Sequence, residues 1–183
     1  MSATFETAPK HELGYEQVQV DALISAARAQ FADEKKSLIT ATQLRKTEFD
    51  LVRGGYALAA VDAAIDRLDD ALASIEIAAV LRHHGRDVVD KVKADATALL
   101  FGRIERPAGK RFSGTGWLLR GYSKKQVDVL VDLIDLHLTS GARLNIDQVR
   151  RVIFKSKRRG YNEAQVDAFI DKTIELLQLE KNS

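Results

Sequence analysis

The groups in this chain that could do chemistry are a His83-His84 pair close to Asp87, paired acids such as Asp69 and Asp70, a dense run of arginine and lysine, and a recurring tyrosine set beside a Val-Asp pair. Adjacent histidines point to different faces of a helix and no further ligand cluster accompanies them, so no metal site is expected. Asp69 and Asp70 read as a solvated helix face rather than a general acid-base pair. There is no cysteine, no phosphate-cradling glycine loop with its lysine and no nucleophile elbow. The expectation is therefore a protein that is not an enzyme, carries no cofactor and takes no small-molecule substrate.

The pattern that does recur is Gly-Tyr, four variable residues and Val-Asp. It stands as GYEQVQVD from Gly14, GYALAAVD from Gly55, GYSKKQVD from Gly121 and GYNEAQVD from Gly160. Each copy reads as the start of a helix. In the last, Asn162 is placed to cap, Gln165 to complete a capping box, and Tyr161 and Val166 to form a hydrophobic staple. Ser123, Gln126, Tyr122 and Val127 repeat the device. The first copy keeps Tyr15 and Val20 with Glu16 at the cap, and the second keeps only Tyr56 and Val61 around Ala57.

Upstream, Asn145 with Gln148 and Thr40 with Gln43 are further capping boxes, and Gly160 and Gly55 read as left-handed stops closing helices of about three turns. The resulting unit is a short capped helix, a Gly-Tyr elbow and a longer helix. Positions 14, 15, 20 and 21 recur at 121, 122, 127 and 128, an offset of 107, and positions 55, 56, 61 and 62 recur at 160, 161, 166 and 167, an offset of 105. The expected fold is thus all-α: tandem hairpin-like units, duplicated, with a first repeat pair at 1–79, a connecting helix and linker at 80–111, and a second repeat pair at 112–183. A helix is expected from Asp87 to Phe101, and Gly102 to Gly116 is the linker. Val127 to Leu138 adds Val129, Leu133 and Leu136 beyond its apolar stripe and is expected to be the most buried helix. Val61, Ile65, Leu68, Leu72 and Ile75 step with coiled-coil spacing, either as a seam within a bundle or as a face for self-association.

Few prolines and abundant Ala, Leu and charged residues favour helix. The absence of cysteine, of a charged-then-apolar leader and of a membrane-length apolar run points to a cytoplasmic protein. The net charge of +2 averages over opposed segments: Arg143 to Arg159 holds seven basic residues against Asp147, and Asp62 to Glu76 five acids against Arg67.

With Phe49 and Phe154 each seven residues before its tyrosine, ITATQLRKTEFDLVRGGYALAAVDAAID and LNIDQVRRVIFKSKRRGYNEAQVDAFID resemble the DivIVA-domain family, bacterial cell-division and polar-growth scaffolds, particularly the multi-copy actinobacterial type. The resemblance covers most of the chain outside 80–111. It implies a helical adaptor or scaffold binding other proteins, itself included as a dimer, with weak peripheral contact at the inner face of the membrane. In that family an aromatic and an arginine just before Gly-Tyr are implied to touch lipid. Here those places hold Glu12 and Leu13, Arg53 and Gly54, Leu119 and Arg120, and Arg158 and Arg159, so Leu119 is the one apolar wedge. The candidate membrane or partner surface is accordingly Leu119 and Arg120 with Arg150, Arg151, Lys155, Lys157, Arg158 and Arg159, and its attraction to lipid is expected to be salt-sensitive. The alternative is a helix-turn-helix-like nucleic-acid binder, with these basic residues on a short helix before the turn. Against it, the helix after the turn is apolar and acidic.

Overall fold

A computed structural model of the chain describes residues 5–32 and 39–183. It divides into two compact units, Met1–Glu76 and Ile77–Ser183. Both are mostly helical, and each holds one small antiparallel sheet, which an all-α reading does not contain.

In the first unit β1 (Leu13–Tyr15) leads into α1 (Gln17–Ala32), α2 (Ala41–Arg45), β2 (Leu51–Arg53) and α3 (Leu58–His84), within which the unit boundary falls. The Thr40–Gln43 capping box starts α2. Val20, Tyr56 and Val61 form one buried cluster with Phe5 and Phe49 against it, and Ala27, Leu44, Leu68 and Leu72 form another. The coiled-coil spacing of α3 is therefore filled within the chain at Val61, Leu68 and Leu72; Ile75 alone of that series is left exposed.

The second unit carries α4 (Arg86–Ile104), β3 (Arg120–Tyr122), α5 (Lys124–Ser140), α6 (Ile146–Arg150), β4 (Ser156–Arg158) and α7 (Glu163–Asn182). α4 packs on α5 and α7, and α6 packs on α7. The stretch 80–111, expected to connect two halves, belongs with this unit. Nor is 102–116 a free linker. Phe112 is in the core, edge-on to Tyr161 and Phe169 with ring centroids 5.3 and 5.4 Å away. Arg111 is buried, donating to the Asp128 carbonyl at 2.8 Å and to the Asp132 carboxylate at 2.6 Å.

Three further expectations are corrected. The helices before the second and fourth motifs are single turns ending at Arg45 and Arg150, and strands follow them. The cause is a period of two: Val152 and Phe154 turn inward while Ile153 and Lys155 face solvent, as a strand-like segment requires. α5 is not the most buried helix, since Val129, Leu133 and Leu136 are 54%, 49% and 51% exposed. Asp69 is not a solvated acid. Its carboxylate accepts from the Arg45 guanidinium at 2.6 Å with both side chains nearly out of water. Removing one partner of such a pair strands a buried charge, so Asp69→Ala is expected to cost about 3 kcal/mol in urea denaturation, whereas replacing the exposed Glu48 by alanine should cost less than half of that. Equal losses would contradict the assignment.

Candidate functional site

The repeated motif is a clasp between two copies rather than an elbow within one. β1 pairs with β2 so that Gly14 lies opposite Val52, and Tyr15 and Tyr56 exchange backbone hydrogen bonds of 2.9 and 2.8 Å. In the second unit Gly121 lies opposite Lys157, and Tyr122 and Tyr161 exchange bonds of 3.1 and 2.9 Å. Gly14 and Gly55, and likewise Gly121 and Gly160, meet backbone to backbone, with no room for a Cβ on any of the four. The glycines therefore serve close approach and not a left-handed stop. The left-handed residue lies one position earlier, at Gly54 (φ 69°) and Arg159 (φ 55°).

The rest of the motif follows from this crossing. The valines Val20, Val61, Val127 and Val166 are all fully buried. Each tyrosine reaches the aspartate of the opposite copy: Tyr15 donates to Asp62 at 3.0 Å, Tyr56 to Asp21 at 3.1 Å, Tyr161 to Asp128 at 2.9 Å, and Tyr122 to Asp167. Aromatic contacts swap in the same way, Phe49 on Tyr15 and Phe5 on Tyr56, Phe154 on Tyr122 and Phe112 on Tyr161. Burial, and then the bond to Asp128, push the Tyr161 hydroxyl up to about 12. Burial also raises Tyr15, Tyr122 and Asp167, in the last case against the opposing pull of the Tyr122 hydrogen bond. The expected Ser123–Gln126 capping box does not form: Ser123 makes no side-chain cap bond and Gln126 accepts from the Lys155 backbone at 2.8 Å. Gln165 likewise turns to Ser113, while Asn162 does cap α7. All of these groups are occupied in holding two copies together.

What the clasp positions is the turn before β3. Thr115 N–H donates to the Gly160 carbonyl at 2.8 Å, Leu119 N–H to the Gly116 carbonyl at 3.0 Å, and Arg159 N–H to the Leu119 carbonyl at 3.4 Å. Pinned at both ends, the turn turns Trp117, Leu118 and Leu119 out to solvent at 70%, 70% and 64% exposure. The first unit forms the same turn, with Glu12 N–H donating to Pro9 at 2.8 Å and Gly54 N–H to Glu12 at 3.0 Å. There the corresponding residues, 107 positions earlier, are Lys10, His11 and Glu12. The fold thus accommodates a polar tip, and the apolar one in the second unit is not needed for folding.

Beside the tip lie cations. Arg120 stands directly across from Arg158, an arrangement that costs stability because like charges face each other. Two hydrogen bonds to Ser156, of 3.2 and 3.1 Å, brace Arg120. Lys155, Lys157, Arg158 and Arg159 are exposed on the strand and its flanks. Arg150 is not part of this surface. Its side chain is nearly buried against Asp147, and Arg151 precedes the strand segment on the far side of Phe154 in sequence. The basic run therefore does not lie on one short helix before a turn. Sequence reasoning found Leu119 and the strand cations but passed over Trp117 and Leu118, whose signal was an apolar triplet in a stretch read as linker.

His83 and His84 end α3, and Asp87 lies in the first turn of α4; among the described residues no group of three potential metal ligands converges. No helix among the described residues is long and apolar enough to cross a membrane. No protein-family model, curated protein or solved structure matches the chain.

Proposed function

We propose that this chain is a non-enzymatic, DivIVA-domain-like helical adaptor of bacterial cell division or polar growth, built as a duplicated pair of clasped motifs and meeting the anionic inner face of the membrane through the turn at 116–120. One observation carries the membrane contact: Trp117, Leu118 and Leu119 are held exposed beside Arg120, Lys157, Arg158 and Arg159, where the same turn in the first unit is polar. Supporting it, Arg159 keeps a left-handed backbone at a place where the first unit uses glycine. Strain retained for a charged side chain points to a use for that side chain.

The magnitudes set the balance of the two attractions. Each apolar side chain fully transferred into lipid contributes about 1.5 to 3 kcal/mol, and each cation near an anionic surface roughly 1 kcal/mol, screened by salt. Three apolar residues outweigh four screened cations, so binding to anionic vesicles is expected to weaken at about 0.3 M salt without disappearing. The wedge of Leu119 alone would have been lost there.

Trp117 is the sole tryptophan, so its fluorescence reports the tip directly. Vesicles of phosphatidylglycerol and phosphatidylcholine are expected to shift its emission to the blue and to pellet the protein, and vesicles of phosphatidylcholine alone to do so at least about tenfold less well. Replacing Trp117, Leu118 and Leu119 by the first unit's Lys, His and Glu should abolish pelleting while leaving the melting temperature within about 2 °C. Arg159→Gly should be neutral or up to about 1 kcal/mol stabilising, since it relieves the left-handed residue, yet weaken pelleting. Pelleting by the tip-swapped protein equal to that of the parent, or no emission shift with either lipid, rejects the membrane contact. A gel shift with random duplex DNA that survives the tip swap would favour a nucleic-acid partner instead.

A further inference from the structure

A second exposed apolar surface lies away from the tip, on the face of the second unit formed by α5 and the segment leading into and out of α6. Val129, Leu133 and Leu136 form one wall of a groove, and Leu144, Val152 and Arg143 the other. The three α5 residues are spaced four and three apart, one stripe of a helix, and about half of each is in water.

The first unit again shows what folding requires. Subtracting 107, the positions of Val129, Leu133 and Leu136 fall on Ala22, Ala26 and Ala29 of α1. Around those alanines the first unit makes the same clasp and the same cross-copy hydrogen bonds. Large side chains on this stripe are therefore superfluous to the clasp, and exposing them carries a solubility cost that something must justify.

The charge around the groove identifies what covers it. Arg143 is the one charged side chain in its lining, and among the described residues it has no ion pair or hydrogen bond through its side chain. Lys125 is exposed one turn before Val129 on the same helix. Lys125 thus stands at one end of the stripe and Arg143 at the other, while the acids that border it already have partners, Asp132 accepting from Arg111 at 2.6 Å and Glu180 hydrogen-bonded to His137 at 2.9 Å. A second copy laid along this face would set Lys125 against Arg143 if antiparallel, and each against itself if parallel, so cation faces cation either way. We propose that this groove docks an acidic amphipathic helix of a partner protein, whose apolar residues at three- and four-residue spacing fill the stripe and whose carboxylates meet Lys125 and Arg143. The occupant is distinct from the lipid proposed for the tip, and neither assignment depends on the other.

The test uses two synthetic helical peptides of roughly four turns, each with leucine at alternating three- and four-residue spacing, one carrying glutamate and the other lysine at its remaining surface positions. Titrated into the isotopically labelled full chain, the glutamate peptide is expected to bind saturably, to shift the resonances of α5 and of 142–152, and to bind at least about tenfold more tightly than the lysine peptide. Val129→Ala, Leu133→Ala and Leu136→Ala together, which copy the first unit, should keep the fold and lose at least about tenfold in affinity. Arg143→Glu, an exposed change that does not touch the core, should narrow or reverse the preference for the glutamate peptide even if the triple variant proves unstable. Equal binding of both peptides, absence of binding, or binding unchanged by Arg143→Glu overturns the proposal. So does a dimer by light scattering that the triple alanine variant dissolves, which would make the occupant a second copy, or vesicle binding that is lost in the triple variant but retained in the tip-swapped one.

Discussion

Alanine at Gly121 is expected to unfold the second unit, and alanine at Gly14 the first. A Cβ on Gly121 would drive into the Tyr161 carbonyl and lie 2.8 Å from the Thr115 methyl, and one on Gly14 would drive into the Tyr56 carbonyl. The two carbonyls are backbone, so no rotamer change can relieve them; the two strands would have to part. Parting them breaks the paired backbone bonds between Tyr122 and Tyr161 and opens the cluster that holds Val127 and Val166. The loss should exceed about 4 kcal/mol, a large part of what a domain of this size has to lose. Gly114 and Gly116 are the controls: an added Cβ meets nothing closer than the mobile end of Lys124 at 3.6 Å in the first case and open space in the second. Alanine at either should alter stability by less than about 1 kcal/mol. Circular dichroism during urea denaturation separates the outcomes, and a Gly121→Ala protein with the same urea midpoint as the parent would show that the clasp can slide.

The close approach of these glycines marks the limit of what is legible in the sequence. The buried valines, the tyrosines and the capping boxes at Thr40 and Asn145 were legible because each is a local signal, an apolar residue or a cap at a fixed distance from a helix start. The glycines were legible as important but not as to why. A glycine before an aromatic looks the same whether it supplies a left-handed turn or lets two strands touch, and only the pairing of Gly14 with a strand 38 residues later in the chain (14 against 52) decides between them. Strands of three residues are too short to show alternation by themselves. The period-two signal at Val152 and Phe154 is nonetheless present, but the strong cap at Asn145 and the glycine at 160 frame the same residues as a helix.

The candidate surfaces were harder still to read, for a different reason. Apolar periodicity says that a face is covered without saying by what. Leu133 and Leu136 read as core in the sequence because the pattern assumes the partner lies in the same chain. Trp117 stood in a stretch rich in glycine, where an aromatic has no periodic neighbours to mark it. In both cases the informative comparison was internal: the first unit, with Lys10, His11, Glu12 and three alanines at the matching places, shows which apolar residues the clasp can do without.

Tyr161 yields the second large effect, and it separates packing from ionisation. Its ring is fully buried between Phe112 and the Lys124 ammonium, 5.1 Å from the ring centre, and its hydroxyl both donates to Asp128 and accepts from the Arg111 backbone at 3.2 Å. Tyr161→Ala should cost about 3 to 5 kcal/mol, and the half-buried Tyr122→Ala about half as much. Tyr161→Phe keeps the ring and should cost about 1 to 2 kcal/mol at neutral pH, since Asp128 still accepts from the Gly109 backbone at 2.8 Å. With its folded value raised to about 12 from an ordinary 10, Tyr161 stays protonated in the native state while the unfolded chain ionises. Its contribution is therefore whole below pH 10 and falls as the pH climbs through about 12, a loss of about 2 to 3 kcal/mol. Tyr15 and Tyr122, raised in the same direction, add to the slope. Stability measured by urea denaturation at pH 8, 9, 10 and 11 should decline more steeply in the parent than in Tyr161→Phe above pH 10. Parallel curves for the two proteins would mean that the hydroxyl is reached by water in solution and that the bond to Asp128 does not close the clasp.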